Sequence, residues 1–185
     1  FNNEQVKSEK KRYLLLNKPK GYICTSEDPK NRKTVMELVA GTCKERLRPV
    51  GRLHRQTTGL LLFTNDEELV KKLTNPKHSV KKIYHVLLDK NLKSLDLKKI
   101  IEGVILEEGT AYVEKATYIK NAPKREVGIE IHKGKNSTVR RIFKNLGYNV
   151  LRLDRVYFAG LTKKDIPRGR HRFISEQEVA MLKMV

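Results

Sequence analysis

Short apolar runs, each closed by Pro, Gly, Asn or Asp, recur from Tyr13 to Ile174 and are interrupted only irregularly by stretches of helical periodicity. A strict β-α-β alternation would give a parallel sheet; this irregular order predicts instead an α+β fold with a mixed, largely antiparallel sheet and flanking helices. Strands are expected over Tyr13 to Asn17, Tyr22 to Thr25, Arg48 to Leu53, Leu60 to Thr64, Lys82 to Leu88, Tyr112 to Ile119, Glu126 to Ile131, Val150 to Val156 and Arg170 to Ile174. Lys18-Pro19-Lys20-Gly21 and Pro167-Arg168-Gly169 place Pro and Gly where turns favour them.

Helix starts are legible from their caps. Thr34-Val35-Met36-Glu37 and Ser175-Glu176-Gln177-Glu178 have the form of capping boxes, the first opening a brief helix through about Val39 and the second the last helix of the chain. Asp66 is placed to cap a helix to Leu73 that stops before Pro76, and Ser94 to cap one through Ile101. From Ser137 onward, Val139, Ile142, Phe143 and Leu146 form one apolar stripe, with Gly147 positioned to end the helix. Arg140, Arg141 and Lys144 therefore point away from that stripe. Residues 1–12 read as a polar leader or linker, and residues 13–185 as one domain or two small lobes, long enough to bury about 70% of the unfolded surface.

The charge balance narrows the partner. Forty Lys and Arg against 21 Asp and Glu give a formal net charge of +19, which self-repels unless a polyanion is the usual partner. Nucleic acid is the first candidate. A membrane surface is the rival, but the cations are spread along the chain and no apolar run approaches the roughly 18 residues of a spanning helix. Cys24 and Cys43 lack C-x-x-C spacing, and the His residues at 54, 78, 85, 132 and 171 lack ligand spacing. No disulfide framework and no metal site is expected, and a reducing cytoplasm fits.

The most specific stretch is Val50-Gly51-Arg52-Leu53-His54-Arg55-Gln56-Thr57-Thr58-Gly59-Leu60-Leu61-Leu62-Phe63-Thr64-Asn65-Asp66. Before it stands Leu16-Asn17-Lys18-Pro19-Lys20-Gly21-Tyr22; after it come Lys82-Ile83-Tyr84-His85-Val86, then Gly134-Lys135-Asn136 leading to Val139-Arg140-Arg141. In this order the four motifs resemble the bacterial ribosomal RNA pseudouridine synthases of the small-subunit and large-subunit uridine family, and most of all the B-type synthases of the large ribosomal subunit, over roughly Tyr13 to the end. The resemblance implies the pseudouridine synthase fold with a central RNA-binding cleft, an isomerase of ribosomal RNA, no cofactor and a monomer. Members often carry a small upstream RNA-binding domain of the S4 type, no part of which is expected here.

The same resemblance implies the site. In the family, Gly-Arg-Leu is followed by the catalytic aspartate; here that position is His54. Tyr84 matches the pocket tyrosine that stacks on uracil and assists proton transfer, and Arg140 the basic partner of the aspartate. Arg suits that role because its planar fork holds a carboxylate through two charge-assisted bonds. Lys18, Arg52, Arg55, Lys82, Asn136 and Arg141 are the expected RNA contacts, Arg141 as a phosphate contact. Read without the resemblance, Tyr84 is a core strand tyrosine, and Arg140 and Arg141 a solvated basic helix face. Facing Arg140, the His54 imidazole should sit neutral at pH 7. It lacks the second oxygen and the negative charge of a carboxylate. Two functions follow: a uridine-isomerising enzyme, or a catalytically silent RNA-binding domain that keeps the synthase fold.

Overall fold

A computed structural model describes residues 9–25, 28 and 30–185. In chain order its elements are β1 (Tyr13–Lys18), α1 (Val35–Val39), β2 (Arg48–Pro49), β3 (Thr58–Thr64), α2 (Glu67–Thr74), β4 (Lys82–Leu88), α3 (Ser94–Glu102), β5 (Val104–Leu106), β6 (Gly109–Ala111), β7 (Lys115–Tyr118), β8 (Glu126–Ile131), α4 (Asn136–Asn145), β9 (Val150–Phe158), β10 (Leu161–Thr162), β11 (His171–Phe173) and α5 (Glu176–Lys183). Nine strands form one sheet along the path β11-β1-β3-β9-β4-β8-β7, with β10 on β9 and β2 on β3; β5 and β6 form a separate hairpin. The β3–β9 pair is parallel and the other strand pairs antiparallel, the mixed sheet expected of the α+β class.

β1 and β3 are buried along their whole length, which explains why they read as unbroken apolar runs. Their side chains alternate between two cores: Leu15, Leu60 and Leu62 pack on one face with α2 and α5 residues, Leu14, Leu16, Leu61 and Phe63 on the other with α1. A third core lies under β4, β7, β8 and α4, with Val139, Ile142 and Phe143 of the predicted stripe inside it. The two halves of the sheet meet at β3 and β9, which pair over only Thr58↔Asp154 and Gly59↔Arg155. Gly59 makes this approach possible: its φ is +112°, and a Cβ there would overlap the Arg155 backbone.

Several expectations shift. The strand from Arg48 stops at Pro49, because Gly51 turns the chain at φ +74°. Tyr22 to Thr25 is no strand; Ile23 makes an isolated bridge to Thr34, with bonds to the Lys33 carbonyl and the Val35 amide. Thr34 precedes α1 without a side-chain cap, and Ser94 is the first residue of α3, with Lys93 at the cap position. The Tyr112 to Ile119 strand shortens to β7, and the β5–β6 hairpin before it had no prediction. The Asp66 cap and the Ser175 capping box form. Residues 1–8 of the expected leader lie outside the described residues; its end is not frayed, since Asn65 accepts from the Arg12 amide at 2.7 Å and donates to the Lys10 carbonyl at 2.9 Å.

Candidate active site at the junction of the two sheet halves

The loop from Arg52 to Thr57 hangs between β2 and β3 and is tied down from three sides. From below, Lys18 at the end of β1 is fully buried, and its ammonium donates to the carbonyls of Pro19, His54 and Arg55 at 3.2 Å and of Thr57 at 2.7 Å. From the start of α4, Asn136 accepts from the His54 amide at 3.2 Å and the Thr57 hydroxyl at 3.3 Å, and donates to the Arg52 carbonyl at 3.1 Å. From behind, Arg140 donates to the Thr57 hydroxyl at 3.1 Å. Gly21, in the first predicted turn, donates to the Arg55 carbonyl at 2.8 Å. Motifs far apart in sequence thus converge because each supplies the loop with a hydrogen bond that its own backbone lacks.

Two of the expected RNA contacts are engaged with the loop. Lys18 has no access to solvent, and burial, helped by the Arg168 charge and opposed by Cys24, pulls its pKa down to about 8. Its ammonium holds the loop through the carbonyls of His54, Arg55 and Thr57. The Asn136 amide is likewise committed to the loop on both its oxygen and its nitrogen.

Beside the loop opens a cavity of about 980 Å³, lined by Arg52, His54, Arg55, Lys82, Tyr84 and Asn136 among the expected residues. Arg140 and Arg141 do not line it. Arg140 stands behind the loop, its Nε buried without a partner and its pKa lowered by burial. It makes no hydrogen bond to the His54 ring among the described residues. Arg141 lies on the exposed side of α4 and pairs with Glu108.

His54 is exposed, and its Nδ1 accepts from the Gln56 amide at 3.1 Å. A ring nitrogen that accepts an N–H carries no proton, so the imidazole is neutral with its proton on Nε2. Partial burial, then the charges of Arg140, Lys18 and Arg55, push its pKa below the ordinary imidazole value, in agreement with that tautomer. The bond from residue 56 back to the side chain of residue 54 has the form in which Asp and Asn stabilise turns. His54 thus fills the local structural place of a short carboxylate side chain without its charge.

The floor of the cavity comes from strand register. Arg155 on β9 is the pairing partner of Gly59 on one side and of Tyr84 on the other, and an extra residue in β9, Val156, opposite the step from Ile83 to Tyr84 brings that register about. Tyr84 lines the cavity and is 1% exposed, a member of the third core. Its hydroxyl is buried without a hydrogen-bond partner. Burial raises its pKa against the opposing charge of the nearby Arg155, and the phenol keeps its proton at neutral pH. Arg155 was not foreseen. It is 4% exposed, bonds the Leu60 carbonyl through Nε at 2.9 Å and Nη2 at 2.7 Å, and lies over the Phe158 ring at 4.5 Å. Two residues before Tyr84 on the same strand face, Lys82 donates to the Gly134 carbonyl at 3.2 Å; burial first, then Arg155, lowers its pKa to about 8. Cys24 forms part of the wall and accepts from the Leu53 amide at 3.3 Å.

Residues 12–145 match the family model described as RNA pseudouridylate synthase. The chain belongs to that family. It is 36% identical to the ribosomal large subunit pseudouridine synthase B of Bacillus subtilis (strain 168), over 98% of this chain and 75% of that protein. To the ribosomal small subunit pseudouridine synthase A of Escherichia coli (strain K12) it is 32% identical, over 91% and 73%. A crystal structure of a pseudouridylate synthase superimposes with a TM-score of 0.82 at 28% identity, covering 95% of this chain and 75% of the other. Within this synthase fold no helix among the described residues is long and apolar enough to cross a membrane.

Proposed function

We propose that this chain is an RNA pseudouridine synthase of the ribosomal RNA type, working as a cytoplasmic monomer without a cofactor, with residues 13–185 as the catalytic domain. The observation that carries the reading is the meeting of four motifs at one cavity: the loop held by Lys18, Asn136 and Arg140 stands over a floor made by the Tyr84–Arg155 strand pair. The reaction breaks the bond from ribose C1′ to uracil N1 and forms one from C1′ to C5; a proton leaves C5 and N1 gains one, so no oxidant or reductant is needed. The uridine must first leave its stack, at a cost of a few kcal/mol that a polar pocket offsets. Arg52, Arg55 and Lys82 line the cavity, which supports a role for them in meeting phosphates, whereas Arg141 pairs with Glu108 on the exposed side of α4.

A second reading, a catalytically silent RNA-binding domain, is favoured by His54. The position at which the family carries its aspartate holds a neutral imidazole whose Nδ1 is occupied by the Gln56 amide. Its Nε2 is then a donor, and a donor can neither attack C1′ nor act as a base. Mass-spectrometric detection of pseudouridine in ribosomal RNA, incubated with the parent chain and with His54→Asp, separates the readings. Isomerisation by the parent at the rate of the Asp variant removes the silent reading; isomerisation by neither removes the enzyme.

A further inference from the structure

The cavity sets a cluster of cationic donors among apolar walls from Val50, Leu53, Leu73, Val80 and Phe158. Among the described residues no Asp or Glu lines it, while Arg52, Arg55, Lys82 and Arg155 all do. Arg155 is the decisive group. Its guanidinium is more than nine-tenths buried, yet no carboxylate lies within 4.0 Å of it among the described residues. The next residue along β9 makes the contrast plain. Asp154 points to the opposite face, where Arg168 at 3.0 Å, Lys163 at 2.5 Å and Thr58 at 2.8 Å all donate to it. The strand carries one buried anion with three donors and, beside it, one buried cation held by the Leu60 carbonyl, the Phe158 ring and the neighbouring Tyr84 hydroxyl, with no anion of its own among the described residues. An unpaired buried charge is costly, and an anion arriving from solvent would remove that cost.

Two acceptors in the wall beside the loop are already occupied. The Asn136 oxygen already receives two hydrogen bonds, and Nδ1 of His54 receives one, which leaves its Nε2 proton free to donate. The Tyr84 hydroxyl, across the strands from Arg155, has that guanidinium as its polar neighbour and makes no closer hydrogen bond among the described residues. α4, ten residues long, begins at this wall with Asn136 and Ser137, so its positive end adds to the same field. A phosphomonoester offers three terminal oxygens and up to two negative charges to such a set, more than a phosphodiester within an RNA strand.

We propose that this cavity binds a compact oxyanion of the phosphomonoester class, as inorganic phosphate or as the phosphate of a free nucleotide, against Arg155, and that this anion competes with RNA. The competition rests on the RNA reading above; the oxyanion site does not.

The test is calorimetric titration of the full chain with uridine monophosphate, inorganic phosphate and uridine, at ionic strength held constant with chloride. Uridine monophosphate should bind at least about tenfold more tightly than uridine. Binding of inorganic phosphate alone assigns the affinity to the anion; binding of the nucleotide alone assigns the nucleoside a share in it. His54→Asp sets a carboxylate at the cavity wall on an exposed loop position, and should weaken the nucleotide at least about tenfold while the circular dichroism spectrum stays unchanged. Equal affinity for uridine and its monophosphate, or a nucleotide affinity unmoved by His54→Asp, overturns the site. Displacement of a labelled ribosomal RNA fragment by uridine monophosphate is expected; binding of both together places the anion elsewhere and also overturns it. If the anion binds as described but RNA is neither bound nor isomerised, the synthase reading fails and the oxyanion site stands. If RNA is isomerised and neither phosphate nor nucleotide binds, the reverse holds.

Discussion

Along the loop wall of the cavity, the backbone groups of Arg52, His54, Arg55 and Thr57 have protein partners, supplied by Lys18, Asn136 and Gly21. Along the sheet floor, among the described residues, the Tyr84 hydroxyl has only the neighbouring Arg155 for a polar contact and Arg155 has no carboxylate within 4.0 Å. Arg52, His54 and Arg55 of the loop are exposed while Tyr84 and Arg155 of the floor are buried, so the groups left without close partners are those that water cannot reach. A wall whose groups are internally paired holds its shape without a ligand. A wall whose groups are left unpaired is destabilised without one and gains most when one arrives. The loop is thus the scaffold, and the floor is where binding free energy is available.

Gly59 is where that contrast breaks most severely, because it joins the two walls. Gly59→Ala would set a Cβ into the Arg155 backbone at a positive φ, and a loss of ~4 kcal/mol is expected, read by urea denaturation. A loss under 1 kcal/mol would mean that β3 and β9 tolerate separation. Next comes the loop residue that imitates a carboxylate. His54→Asp is expected to raise pseudouridine formation by about two orders of magnitude, ~2.7 kcal/mol of barrier, with unchanged stability.

Removing a scaffold bond tests the other half of the contrast. Asn136→Ala leaves the His54 amide, the Thr57 hydroxyl and the Arg52 carbonyl without their partner, and about 2 kcal/mol of stability should be lost. If stability holds, the loop is not anchored from α4. A smaller effect follows from the His54 tautomer. Its folded pKa lies below the ordinary imidazole value, so on acidification the unfolded chain takes up the proton first. Stability present above the ordinary imidazole pKa is therefore lost as the pH falls through it toward the folded pKa. Side-chain nitrogen NMR should show the Nε2–H form at neutral pH and protonation only below the usual imidazole range; a charged ring at pH 7 would refute the Gln56 contact. The least change belongs to Arg141→Ala, within about 0.5 kcal/mol, since Arg141 and Glu108 form an exposed pair.

How much of this was legible in the chain depended on whether a signal is local. The helix caps at Asp66 and Ser175, the apolar stripe of α4 and the double-sided burial of β1 and β3 follow from residue type and period, and the structure has them in place. Four ordered motifs were enough to identify the family. The role of each motif residue was another matter. Lys18 and Asn136 look like surface cation and surface amide in sequence, and only the path of the backbone beneath the loop turns them into internal donors and acceptors.

Arg155 shows the limit most clearly. In sequence it is one of several charges in Leu151-Arg152-Leu153-Asp154-Arg155, and nothing in that string separates a paired charge from an unpaired one. The sequence alone determined the periodicity of each element, the excess of positive charge and the presence of His54 beside Arg55. Which side of β9 met Lys163 and Arg168, and which met the cavity, was decided by the register of β9 against β3 and β4. Register depends on contacts between residues separated by about 70 to 95 positions, and a one-residue slip would exchange the faces of Asp154 and Arg155.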